Sequence, residues 1–499
     1  MAGRVFNGQE WEEVQDHPST GKFRPLIPVL NGNGKIFVSI PSFRDGQRCG
    51  KTIVDLFANA KDPDNIVVGI IDQSYEEDIY CLEAYCKEMG TEIYTKPQIR
   101  EDTIKVMAKP DKKACPRMDQ IRKLSVHNAA AKGPVWARSL VRKILGNEEF
   151  CLQIDAHSSL VQDWDDKLKH EWAATGNEFG IISTVPPAIT DRDLPEMATT
   201  VPRQCTVQFQ EVGLPSYSAR GDGKAENLQK PLLSHAWSAG FSFSKCHLEE
   251  SVPYDPFTPF VMGVEQFARY ARLWTRGYDV YTPTQNIVFH HYQPNPDGHG
   301  PMEWLKPRFE RFRQASLKRV RTNLELPNGL EGYNLANLGI YGLGKRRTLK
   351  QLAEFTGIDF ETKSSRPETL PCGKDEWVPY DLNISPIENL YDKPDNLDPQ
   401  PEFPLRTELV FYKQETWEPP KLEILEGDLL GDAAMMSHNN NQAVDDQPTF
   451  PTTILLLVLW VIGLCFWCFV FLRSTASPGL RRKKTVRKTD RSAKMVKDV

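Results

Sequence analysis

The sequence predicts an α/β fold on a mainly parallel central sheet, and three observations carry that expectation. Residues 35–40 and 66–71 are short, continuous apolar runs, the pattern of strands buried on both faces. Residues 48–60 and 80–89 follow them with helical periodicity. Phe150, Cys151, Leu152, Gln153 and Ile154 form a further strand-like run. Strands that alternate with helices assemble into a parallel sheet, and ligands of such sheets gather beyond the carboxyl ends of the strands.

Asp155 and His157 stand where the third run ends. Residues i and i+2 of an extended chain share a face, so this pair can grip one cation just past the strand. A capped turn next to an ordinary surface histidine has the same pattern. Asp163, Asp165 and Asp166 around Trp164 read as a helix start rather than as ligands. Upstream, Gly133-Pro134 opens a short helix carrying Arg138 and Arg142, which suits phosphate. Downstream, Trp237 to Ser244 alternates small polar and aromatic residues, as a strand beside a pocket or in plain core packing would. Glu265 falls in the first turn of an amphipathic helix, where capping is its bland role. His290 and His291 sit on a strand-like run and are expected to face opposite ways.

Composition narrows the function. The net charge of −5 argues against a nucleic-acid footprint, and no Gly-rich Walker or Rossmann loop supports ATP or NAD. The ten cysteines are scattered, with Cys81/Cys86 and Cys465/Cys468 the close pairs, so neither a zinc array nor a disulfide framework is expected. Cys81 and Cys86 are expected buried on a helix, with thiols compatible with the cytosol.

The order of parts resembles glycosyltransferase family 60, the polypeptide and hydroxyproline GlcNAc-transferases. The resemblance rests on Ile40-Pro41-Ser42-Phe43-Arg44-Asp45, the Ala-Lys-Gly-Pro segment with Arg138, Gln153-Ile-Asp-Ala-His157, Trp237-Ser-Ala-Gly240-Phe241, Gly263-Val-Glu265 and Val288-Phe-His-His-Tyr292. It implies a GT-A nucleotide-sugar fold in which Asp155-x-His157 replaces the commoner D-x-D, and a late histidine completes the metal site. His290 fits that third place better than His291. Imidazole beside carboxylate suits Mn²⁺ better than Mg²⁺. Pro41, Ser42, Arg44, Asp45, Asp72, Arg138, Trp237 and Gly240 are then expected to bind the sugar nucleotide. Asp72 serves equally as a helix cap. Trp237 and Phe241 would be apolar walls, and Asp155 and Glu265 the catalytic carboxylates, with Glu265 orienting sugar or acceptor.

The expected organisation is a polar segment (1–33), the GT-A domain (34–293), a helical extension (294–360), an acidic Pro-rich linker (361–452), a transmembrane helix (453–472) and a basic tail (473–499). Residues 294–300 are turn-rich and expected to act as a flap. The Arg-studded helix from Trp304 to Arg321 reads as a solvated face, with Arg308 to Arg313 able to meet a leaving phosphate. Ile454 to Leu472 is uncharged and long enough to span a lipid bilayer. The tail beyond it holds ten Lys/Arg against two Asp, which favours a cytoplasmic tail and a lumenal enzyme in the ER or Golgi. The absence of an apolar h-region among the first 33 residues points instead to a tail-anchored enzyme facing the cytosol, the expectation adopted. The expected reaction is metal-dependent, retaining transfer of N-acetylglucosamine from UDP-GlcNAc to a Ser, Thr or hydroxyproline hydroxyl of an acceptor protein or peptide. The rivals are another UDP-sugar donor and an inactive membrane-tethered binding protein.

Overall fold

The computed structural model describes residues 4–6, 11–13, 32–75, 77–91, 98–100, 103–105, 115–210, 213–217, 223–295, 307–326, 338–365, 376–381 and 383–384. The chain divides into two units, Met1–Asp428 and Leu429–Val499, and every described residue belongs to the first.

Eight strands make the central sheet: β1 (Ile36–Phe43), β2 (Ile66–Ser74), β3 (Ile121–His127), β4 (Phe150–Ile154), β5 (Gly180–Ser183), β6 (Leu232–Ser234), β7 (Phe241–Lys245) and β8 (Asp279–Thr282). Their spatial order is β6-β8-β5-β7-β4-β1-β2-β3. Four of the seven pairings are parallel: β1 with β2, β1 with β4, β2 with β3, and β5 with β8. β7 runs antiparallel between β4 and β5, so the sheet is mixed on one side. Helices α1 (Gly46–Ala58) and α2 (Cys81–Glu88) follow β1 and β2 as the alternation predicts.

Period-two alternation assigns the two cores. Ile36, Val38 and Ile40 of β1 join the large core, which also takes Ile53 and Leu56 of α1 and Leu82 and Tyr85 of α2. Phe37 points the other way, into a second core with Ala137 of α3 (Pro134–Ser139) and the following Val141. Gly69 makes this possible, because a Cβ there would sit 2.1 Å from the Phe37 ring. Strands covered on both faces show the continuous apolar runs seen in the sequence.

Four parts add to the expectation or differ from it. The polar segment 1–33 contributes two strands, Arg4–Phe6 and Trp11–Glu13, to a small antiparallel sheet with Gly223–Glu226 and Thr200–Arg203. The segment expected to be a linker over much of its length docks at one place: Trp377 Nε1 donates to Asp279 Oδ2 at 2.8 Å, and the fully buried Arg347 donates to the Val378 carbonyl and to Asp279 Oδ1. A buried ion pair needs its remaining hydrogen bonds satisfied, and this strap supplies them. Cys81 and Cys86 are buried on α2 as expected, but they are not thiols. Cys49–Cys81, Cys86–Cys115 and Cys151–Cys246 are disulfides, and Cys205 is disulfide-bonded as well. The pairs are 29 to 95 residues apart in sequence, so no local spacing announced them.

The Arg-rich helix, Pro307–Asn323, is also only partly a solvated face. Arg319 and Arg321 are buried, and Arg319 pairs with Asp255 at 3.0 Å. Residues 296–300 of the expected flap lie outside the described residues. The expected membrane span, Ile454 to Leu472, and the basic tail lie outside the described residues altogether; among the described residues no helix is long and apolar enough to cross a membrane.

Candidate active site at the carboxyl ends of the parallel strands

A cavity of about 600 Å³ opens where β1, β2 and β4 end. Strand register decides which side chains reach it. β1 and β2 pair Ser42 with Asp72 and Phe43 with Gln73, and paired residues of neighbouring strands share a face. Pro41, Phe43 and Gln73 line the cavity. Ser42 and Asp72, the expected ligands, face the core and are fully buried. Asp72 accepts from the backbone N–H of Cys81, the first residue of α2, at 2.9 Å, and from Ser74 at 2.8 Å. Lys123 Nζ lies 3.6 Å away. Its role is the helix cap.

Asp155 stands just past β4, where its carboxylate meets two partners. Arg138 Nη2 of α3 donates to Oδ1 at 2.9 Å and His290 Nε2 lies 3.4 Å from Oδ2, while Gly240 leaves the space that a Cβ, 3.1 Å from Oδ2, would crowd. Burial alone would raise this carboxyl, but the His290 contact and the Arg138 charge outweigh it and hold it well below the usual carboxylate range. His157 lies in the turn after Asp155. Its Nδ1 meets Asp45 at 2.7 Å, and its ring packs edge-on against that of His290 with centroids 4.5 Å apart. Asp45 precedes α1, makes no side-chain cap to that helix, and serves His157 and Arg48 instead.

His290 ends the short strand Val288–His290, which pairs with Ser158–Leu160 immediately after His157. That pairing carries the late histidine back to Asp155. His291 lies beyond the strand end, so alternation no longer governs it, and it lines the same cavity as His290. Of these two histidines, His290 is the one that meets the Asp155 carboxylate. The other ring nitrogen of His290, Nδ1, is buried without a hydrogen-bond partner.

Glu265 begins the helix Glu265–Thr275, lines the cavity, and leaves Oε2 buried and unpaired. Burial pushes its carboxyl up, against the pull of Arg138. Trp237 and Phe241 do not reach the cavity. Both are core residues, and the Trp237 indole donates to Ser242 Oγ at 2.9 Å. Ser238, Ala239 and Gly240 form the wall in their place, in a turn rather than a strand. Arg44 adopts a left-handed backbone, φ 50°, and points to Asp78 in a two-pronged ion pair beneath the Tyr75 ring, away from the cavity.

Two residues outside the expected set hold that turn. Gln153 donates to the Ala239 carbonyl at 2.7 Å, and Gln266 accepts from the Ala239 N–H at 3.2 Å. Gln153 sits on β4 two residues before Asp155, and Gln266 follows Glu265; their only sequence signal was adjacency to the motifs.

Among the described residues no three His, Cys, Asp or Glu side chains converge as a ready-made metal site. The donors nonetheless suit a divalent cation in kind. Asp155 is ionised, His290 presents Nε2 to it, and His157 holds Nδ1 on a carboxylate, as metal-binding histidines do, leaving Nε2 as its coordinating atom.

No curated protein matches the chain. Among solved structures it is similar to GalNAc-T7 with UDP, GalNAc and Mn²⁺ (13% identity, 58% of this chain and 49% of that one, TM-score 0.39). It is also similar to the mannosyltransferase PcManGT of Pyrobaculum calidifontis with GDP-Man and Mn²⁺ (10% identity, 61% and 67%, TM-score 0.30). S. aureus TarS with UDP-GlcNAc matches at 9% identity over 58% and 66%, with a TM-score of 0.31. The chain spans about half of the GalNAc-T7 chain. The family model described as Glycosyltransferase (GlcNAc) matches residues 35–362, from just before β1 to just past the helix Leu349–Thr356. The chain belongs to that family of GlcNAc glycosyltransferases.

Proposed function

We propose that this glycosyltransferase has a GT-A type site and moves N-acetylglucosamine from UDP-GlcNAc to a Ser, Thr or hydroxyproline hydroxyl of a protein, with retention of configuration. The observation that carries the reading is the gathering of Asp155, His157, His290, Arg138 and Glu265 in one cavity beyond the parallel strands. In the transfer, the bond from the anomeric carbon to the β-phosphate oxygen breaks and a bond to the acceptor oxygen forms. The acceptor's proton leaves with UDP. Asp155, His157 and His290 would hold Mn²⁺ or Mg²⁺, which supplies charge neutralisation for the diphosphate. Arg138 keeps Asp155 ionised and oriented. Glu265, with one buried oxygen unpaired, is placed to accept a hydrogen bond from a sugar or acceptor hydroxyl.

Donor hydrolysis by the full-length protein tests this. UDP-GlcNAc is expected to be hydrolysed faster than other UDP-sugars, the rate falling with a chelator and returning with Mn²⁺. Preference for another UDP-sugar, or no turnover of any, sinks the reading.

The disulfides bear on localisation. Cross-links between α1 and α2 and between β4 and the residue after β7 persist in oxidising compartments. They support the lumenal alternative, with the segment from Ile454 to Leu472 as anchor and the basic tail in the cytosol, over the tail-anchored orientation.

A further inference from the structure

Helix α1 and its two flanking residues carry a polar stripe. Asp45, Arg48, Thr52, Asp55 and Asn59 recur at spacings of three and four, which places them along one side of the helix. Four of the five grip the chain just past Asp155. Asp45 meets His157, Asp55 accepts from Ser159 Oγ, and Asn59 Nδ2 donates to the Leu160 carbonyl at 3.0 Å. The strand so held, Ser158–Leu160, is the one that pairs with Val288–His290.

Thr52 stands at the centre of the stripe. Apart from the cross-linked Cys49, it is the one side chain with a polar atom that α1 buries. Its Oγ1 accepts from the Ser158 N–H at 3.1 Å, and its O–H faces the carbonyls of Ala156, at 3.0 Å, and Ser158, at 2.8 Å. Ala156 is the residue between Asp155 and His157, and Ser158 stands opposite His290 in the strand pairing. One hydroxyl therefore holds the backbone between the first two donors and the residue across from the third.

Resting on the proposed metal donors, we propose that Thr52 and Asp55 are positioning residues of the metal site. They touch no cation, and they set the spacing of Asp155, His157 and His290 by clamping residues 156–159 to α1. Packing alone does not ask for a hydroxyl here. Ile53 and Leu56 already seat α1 on the core, and a valine has nearly the shape of threonine. What valine lacks is the group that answers one N–H and two carbonyls in a buried turn, which must then move to find other partners. Partners one step behind a metal's ligands hold those ligands in place, and losing one typically weakens metal affinity about ten- to a hundredfold.

The test titrates the full-length protein with Mn²⁺, reading bound metal by EPR, and measures the Mn²⁺ activation constant of UDP-GlcNAc hydrolysis. Thr52→Val is expected to raise both constants about ten- to a hundredfold, while hydrolysis at saturating Mn²⁺ stays within about threefold of wild type. Thr52→Ser keeps the hydroxyl and should restore both constants. If Thr52→Val does not fold, the half-buried Asp55→Ala carries the test, with both constants expected to rise at least about threefold. Wild-type metal constants in the folded variants, with only the unfolding midpoint lowered, overturn the positioning role alone, as does a loss in Thr52→Ser equal to that in Thr52→Val. Mn²⁺ binding that is indifferent to Asp155→Ala overturns the donor set, and the positioning role with it.

Discussion

Asp155 is the residue on which most contacts in the site close, so Asp155→Ala is expected to lower metal-dependent donor turnover by at least about two orders of magnitude, the scale of losing a major electrostatic stabiliser. A variant that keeps wild-type, Mn²⁺-dependent turnover refutes the assignment. His290→Ala should weaken Mn²⁺ affinity more than His291→Ala, because of the two His290 is the one that meets the Asp155 carboxylate. Equal losses measured by metal titration would contradict the geometry. Gly240 gives a subtler probe. The Cβ of Gly240→Ala would press on Asp155 Oδ2 at 3.1 Å while making an ordinary contact with Pro186, so the carboxylate must shift by a few tenths of an ångström. Turnover should fall roughly ten- to a hundredfold, as displaced catalytic groups do, with the unfolding midpoint little changed. A wild-type rate would mean that the carboxylate tolerates displacement.

At the scale of elements, the cross-link between β4 and the end of β7 holds the strand that delivers Asp155. Replacing both Cys151 and Cys246 by Ala is expected to cost about 2–5 kcal/mol of stability, read by urea unfolding. No change would show that the pair is not cross-linked in solution. Arg347→Ala leaves Asp279 buried opposite the Trp377 strap and should cost about 3–5 kcal/mol. A loss under about 1 kcal/mol would mean that the strap does not dock and the pair is solvated.

For the whole molecule, the disulfides and the apolar segment from Ile454 to Leu472 together predict an integral membrane protein whose catalytic domain is shielded. Protease added to sealed microsomes should leave that domain intact until detergent is added. Immediate digestion, with cysteines open to alkylation, would return the enzyme to the cytosolic side.

Local pattern alone determined the alternation of β1, α1, β2 and α2, since apolar runs and helical periodicity answer to burial on two faces or one. It also placed Asp155 and His157 on one face beyond a strand end and Glu265 in a first helical turn, although on pattern alone a turn and a cap fit them as well, and it was the resemblance of the whole set of motifs that gave them a role. Tertiary structure decided what depends on distant partners. Register with β1 turned Asp72 inward and Gln73 outward, a choice one residue wide that no composition reveals. The pairing of Val288–His290 with Ser158–Leu160 brought a histidine 135 residues away from Asp155 into contact with it. The seven oxidised cysteines among the described residues and the return of Trp377 to Asp279 arose in the same way, because a disulfide or a buried ion pair is fixed by where two chain segments meet in space, and sequence separation does not encode that meeting.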